Sequence, residues 1–183
     1  MLRYLNSLLG AACVLLLLAH ILWAAALLAG FIGYTPFIGR IGWAFMVCLV
    51  LHGLLSVYLF TIPDRPAPRF PYPRSNAGAW AQRISGIAMI LLIIPHLMEA
   101  YGHVTLSGWY LPKEPTAARY VLEALLLLAV TVHLWQGLSR LPVSLGLLRD
   151  EKSLDRWKRG LKAAVAVVTL LVLAALTRYF FFG

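Results

Sequence analysis

Five long, unbroken apolar blocks dominate the chain, and short polar or proline-bearing connectors part each from the next. They run at about residues 7–31, 41–62, 80–101, 118–138 and 161–179. Each is close to the ~20 apolar residues that cross a bilayer as one α-helix. The connector "PDRPAPRFPYPRSN" (63–76) is too rich in proline to be helical throughout. "LPKEPT" (111–116) closes the third link, and "RDEKSLDRWKR" (149–159) reads as an interfacial amphipathic turn of helix. The apolar stretch from Leu8 to Gly30 exceeds a secretory h-region of roughly 7–15 residues, so it reads as a retained helix. The pattern predicts an all-α membrane protein in one domain, residues 1–183. Its architecture would be an up-down four-helix bundle with a peripheral fifth helix.

Composition strengthens this reading. Hydrophobic residues make up 61% of the chain, against about 45–50% for soluble domains. The net charge of +9 reports topology. Arg3, Arg65, Arg69, Arg74, Arg83, Arg140, Arg149, Lys152, Arg156, Lys158, Arg159 and Lys162 fall on one side, and Arg40, Lys113, Arg119 and Arg178 on the other. Basic residues concentrate in cytoplasmic loops, which puts the N-terminus in the cytoplasm and the chain in the cytoplasmic membrane. No nucleic-acid-binding motif competes for the charge. Cys13 and Cys48 are isolated in apolar runs, without a CxxC pair, and read as inert buried thiols.

Ionisable residues inside spans are costly and mark function. His20, His52, His96 and His133 lie one in each of the first four spans, whereas the fifth has none. Imidazole is a common ligand of haem iron, and four of them make two bis-histidine sites. At about 1.5 Å per residue from the nearest polar anchor, His133 lies roughly 10 Å deep, His52 18 Å, His96 20 Å and His20 25 Å. Depth therefore pairs His52 with His133 and His20 with His96, stacking an inner haem under an outer one. Small residues beside the ligands on the same helices, Ala24, Gly53, Ala100 and Gly137, offer room for macrocycles. Pro95, just before His96, predicts a kink. The rival from another class is a haem-free transporter, but such sites recruit several carboxylates. Here no acid occurs between Met1 and Pro63.

"RYLNSLLGAACVLLLLAHIL", "LHGLLSVYLF", "WAQRISGIAMILLIIPHL" and "VHLWQGL" resemble, in order, the cytochrome b membrane anchor of succinate dehydrogenases and fumarate reductases of the single-anchor, two-haem type. The most specific element is Gln-Arg-x-Ser-Gly at Gln82–Gly86 followed by His96, and the next is "NSLLG…AH" of span one. The resemblance implies two haem b groups on His20, His52, His96 and His133, paired first with third and second with fourth. It implies a flavoprotein carrying FAD and an iron–sulfur subunit on the cytoplasmic face, with electrons passing through both haems to or from a quinone, menaquinone by family. A dimer of the complex is compatible with it. Nothing on this chain would touch succinate. The nearest rival, a dihaem subunit of a nitrate reductase or hydrogenase, usually places two ligands on one helix.

Arg83 and Ser85 are candidates to hold propionates of the inner haem, because guanidinium suits carboxylate. The second and fourth connectors, rich in basic residues, are expected to face the iron–sulfur subunit or lipid headgroups. Quinone chemistry moves two protons with two electrons and needs a titratable group at the ring. Glu99, Glu123 and His103, with Tyr101 and Trp109 at similar height, are the candidates for an outer quinone pocket. Some two-haem fumarate reductases have a glutamate two residues before the fourth-helix ligand, where this chain has Thr131. They also have a carboxylate ahead of the second-helix ligand, and none stands there in this chain.

Overall fold

The structure, a computed structural model, describes residues 1–33, 35–62, 77–101, 104–105, 108–109, 116–148 and 150–182, and the backbone alone for those of residues 99–109. Among the described residues five helices carry the chain: α1 (Leu2–Leu28), α2 (Pro36–Thr61), α3 (Ala77–Tyr101), α4 (Ala117–Ser144) and α5 (Glu151–Phe182). All five are long and apolar enough to cross a membrane, which makes this a multi-pass membrane protein. Their outer faces agree: Leu15, Leu54, Leu91 and Leu170 are 63–70% exposed. In water each such side chain would forgo about 1.5–3 kcal/mol of burial, whereas hydrocarbon accepts it.

Local chemistry sets the helix ends. α1 and α4 stop at glycines in the left-handed region, Gly30 (φ 75°) and Gly146 (φ 74°). The next residue then folds its N–H back to a helical carbonyl, Phe31 to Ala26 at 2.9 Å and Leu147 to Pro142 at 2.8 Å. Pro36 opens α2, at a position where its missing N–H costs nothing. Thr116 caps α4 by accepting the Arg119 N–H at 3.3 Å.

Two elements differ from the sequence reading. The segment 151–159 is not a separate interfacial turn but the start of α5 itself. The Asp150 carboxylate caps it by accepting the Ser153 N–H (2.8 Å), the Trp157 indole donates to the Leu138 carbonyl (2.8 Å), and Lys162 sits 5.3 Å above the Trp135 ring. Those contacts hold the basic end of α5 against α4 and keep the helix continuous. Between α3 and α4, β1 (Val104–Thr105) and β2 (Gly108–Trp109) pair antiparallel, with Val104 opposite Trp109 and Thr105 opposite Gly108. The connector 63–76 lies outside the described residues.

Packing is modular. α1 pairs with α2 and α3 with α4, as two antiparallel hairpins, while α5 docks on α4 and α1. Between the hairpins, α1 meets α4 and the other cross-pairs scarcely touch. Cys13, Leu17, Phe45, Met89, Ala129 and Val130 form one core cluster drawn from all four hairpin helices. Ala25, Leu127, Val172, Ala175 and Leu176 form a second, where α5 seals α1 and α4.

Candidate functional site

In the first hairpin, the antiparallel register sets His52 on α2 opposite Gly10 on α1, and His20 on α1 opposite Gly42 on α2. A Cβ on Gly10 would stand 3.3 Å from the His52 ring, and one on Gly42 would stand 3.5 Å from the His20 ring. Each imidazole thus sets its Cε1–Nδ1 edge close to the backbone of the neighbouring helix. The backbone four residues before each glycine lies near the ring, Asn6 beside His52 and Ile38 beside His20, but neither Nδ1 closes a hydrogen bond. Asn6 is itself fixed to α2, exchanging hydrogen bonds with Ser56 at 3.1 and 3.2 Å.

The second hairpin repeats the device. His133 on α4 lies against Gly86 on α3, whose Cβ would stand 3.4 Å from the ring. Its Nδ1 donates to the Gln82 carbonyl at 3.0 Å, again four residues before the glycine. Ser85 donates to the same carbonyl (3.1 Å) and lies 3.4 Å from the His133 Nδ1. At the fourth position the glycine is missing. Glu123 stands there instead, and its carboxylate oxygens lie 2.9 and 3.0 Å from the His96 Nδ1.

A spacing rule follows that sequence reasoning missed. Gly10 precedes His20 by ten residues, Gly42 precedes His52 by ten, Gly86 precedes His96 by ten, and Glu123 precedes His133 by ten. One antiparallel register therefore places every histidine against the residue at the other helix's repeat position. Along each helix the two levels are about 15 Å apart. The recurring ten-residue interval was visible in the sequence and would have located the cradles.

Across the gap between hairpins the His20 and His96 rings meet. The centroids of His20 and His96 lie 6.4 Å apart with planes at 85°, and Phe45 stacks on the far side of His20 at 6.5 Å. His52 and His133 stand one on each hairpin, each against its own cradle glycine. Among the described residues no cluster of three or more His, Cys, Asp or Glu assembles.

The residues predicted from sequence are distributed as follows. Ser85 is buried and serves His133 through Gln82 and does not project toward an open site. The Arg83 guanidinium lies over the rings of Phe60 (4.7 Å) and Trp80 (5.6 Å). Glu123 holds His96, a partner the sequence did not suggest, and with Pro95 and Arg119 lines a small recess beside it. The Glu99 side chain, His103, and the side chains of Tyr101 and Trp109 lie outside the described residues. Of the small residues expected to give room beside the ligands, Gly53 borders open space and the Ala100 side chain lies outside the described residues, while Gly10, Gly42 and Gly86 add room from the facing helix. A Cβ on Gly53 would meet nothing within 4 Å, and Gly137 lies against Gln82. Cys13 and Cys48 are not isolated: their sulfurs lie 3.1 Å apart across the first hairpin.

The four histidines fit an iron porphyrin on three counts. With Nδ1 engaged in His96 and His133, Nε2 is the nitrogen left there for a metal, the orientation that metal-binding histidines adopt. Two metal–nitrogen bonds of about 2 Å place imidazole centroids about 6 Å apart, and the His20–His96 spacing matches. The glycines give the His20, His52 and His133 rings room against the facing backbone of each hairpin. Comparison with protein families, curated proteins and solved structures finds no match to this chain.

Proposed function

We propose that the chain is a transmembrane dihaem cytochrome b, the quinone-reactive anchor of a succinate:quinone oxidoreductase. The observation that carries this reading is the one histidine on each of four spans at the repeated cradle positions, with the His20 and His96 rings 6.4 Å apart and Nδ1 hydrogen-bonded in His96 and His133. His20 and His96 would hold one haem, and His52 and His133 the other. Haem iron supplies one-electron transfer when bound. The protein's own part is to fix the His96 and His133 rings by their Nδ1 acceptors, to give the other rings room through Gly10, Gly42 and Gly86, and to exclude water from the macrocycle with the lipid-embedded helices around it.

The naming of the complex rests on the resemblance, whose two most specific segments acquire a physical role. Gln82, Ser85 and Gly86 all serve His133, and Asn6 and Gly10 both serve His52. On this reading the face crowded with basic residues is cytoplasmic and receives the iron–sulfur and flavoprotein subunits. Arg140 and Lys158 line a cleft of about 570 Å³ there, between α4 and α5. The quinone would react near the opposite face, with Glu99 and His103 as the proposed proton donors and acceptors, because Glu123 is engaged by His96.

The test is to isolate the chain from its native membrane with its partners. The proposal expects a flavoprotein and an iron–sulfur protein to copurify, and succinate and a menaquinol analogue each to reduce the haem. Reduction by quinol with no flavoprotein present would assign the chain to another quinone-linked complex.

A further inference from the structure

Three of the four histidines rest against glycine, and of these His133 gives its Nδ1–H to a neutral backbone carbonyl. The fourth rests against a carboxylate. Glu123 occupies the repeat position that Gly10, Gly42 and Gly86 hold on the other helices, so the difference between the two sites is localised in one residue. Both Glu123 oxygens lie within 3.0 Å of the His96 Nδ1. A carboxylate accepting that N–H raises the basicity of the ligating imidazole, and a more basic ligand favours the oxidised metal. Among the described residues no carboxylate hydrogen-bonds His20, His52 or His133: the neighbours given for these rings are the backbone of Ile38, Asn6 and Gln82 and the Ser85 hydroxyl.

We propose that Glu123 is the positioning residue that sets the two haems apart, its bond to His96 making the His20–His96 centre the lower-potential of the two. The proposal rests on the dihaem reading and adds an order to it: electrons would settle on the His52–His133 centre first. It also removes Glu123 from direct quinone chemistry. Arg119 lines the same recess, and replacing Glu123 leaves that cation in place, so charge and hydrogen bonding act in the same direction.

The experiment is a spectroelectrochemical titration of the haem-loaded protein, wild type against Glu123→Gln and Glu123→Gly. Glutamine keeps an acceptor but no charge. Glycine restores the fourth cradle, leaving the Arg119 carbonyl at the place that Ile38, Asn6 and Gln82 fill elsewhere. The expected result is two waves in wild type. Their low-potential component should rise by about 60 mV in Glu123→Gln, a tenfold change in its reduced-to-oxidised ratio for a one-electron couple. It should rise further in Glu123→Gly, while the other wave stays fixed. Unmoved waves with both haems bound would overturn the inference and leave the dihaem reading standing. So would loss of one haem from both variants, which would make Glu123 a structural support. A wild-type protein without haem would defeat the dihaem reading first.

Discussion

Replacing a single cradle glycine by valine should empty one haem site and spare the other, and which site is lost depends on register. A Cβ at Gly86 stands 3.4 Å from the His133 ring, at Gly10 3.3 Å from His52, and at Gly42 3.5 Å from His20. Alanine at Gly86 would therefore reach only van der Waals contact and should be tolerated. Valine extends about 1.5 Å further, bringing a methyl to roughly 2 Å from the imidazole, far inside the 3.5–4.0 Å optimum. The ring must swing away. For His133 that breaks the 3.0 Å bond to the Gln82 carbonyl. Leaving the His133 Nδ1–H unpaired costs about 1–3 kcal/mol, and an off-rotamer histidine about 0.5–1.5 more. The sum of about 1.5–4.5 kcal/mol is roughly a 10- to 1,000-fold loss of haem affinity at that site. Gly10→Val and Gly86→Val lie on different hairpins, yet both should lose the same haem. Gly42→Val should lose the other. Gly53→Val is the control, since it meets nothing within 4 Å. Haem counting by pyridine haemochrome, with the redox wave identifying the survivor, reads the outcome. If Gly10→Val and Gly86→Val remove different haems, or Gly53→Val removes one, the cradle register is wrong.

Other consequences can be checked alongside. His20→Ala and His96→Ala should each abolish one redox wave, and His52→Ala and His133→Ala the other; loss of both waves from every single change would contradict independent sites. Cys13 and Cys48, with sulfurs 3.1 Å apart, should be consumed together by mild oxidation without forming intermolecular dimers, as counted by thiol titration and electrophoresis. Dimers would contradict the α1–α2 register. The Asp150 carboxyl is held below its usual range by hydrogen bonds from Ser153, and it is exposed. A depressed folded-state value means that its capping contribution is present at neutral pH and disappears only as pH falls through that value. The protection factor of the Ser153 amide, its exchange corrected for the intrinsic rate, should accordingly be high at pH 7, lower in strong acid, and low at both in Asp150→Ala. Equal protection in wild type and Asp150→Ala would contradict the cap.

Much of the architecture is written in the hydrophobic pattern, because a helix in lipid must be apolar along nearly its whole length. The five helices lie where the apolar blocks lie, and the histidines stand one to a span as read. The ends were less legible. α5 starts ten residues before the predicted span because Trp157, Lys162 and the Asp150 cap hold a polar segment helical, and apolar content says nothing of such contacts. The site was half legible. Imidazoles in spans announce themselves, but Gly10, Gly42 and Gly86 matter through the helix they face, and that depends on register. The same register converts Glu123 from a presumed quinone group into the partner of His96, and brings together two cysteines that are 35 positions apart.

The most direct measurement is the electron paramagnetic resonance spectrum of the purified, oxidised protein, taken beside its haem-to-chain ratio. The account predicts about two haems per chain, both low-spin with two nitrogenous axial ligands. In His96→Ala one of those signals should vanish and its partner persist. A chain carrying no haem, or haem whose spectrum is indifferent to all four histidines, would contradict it.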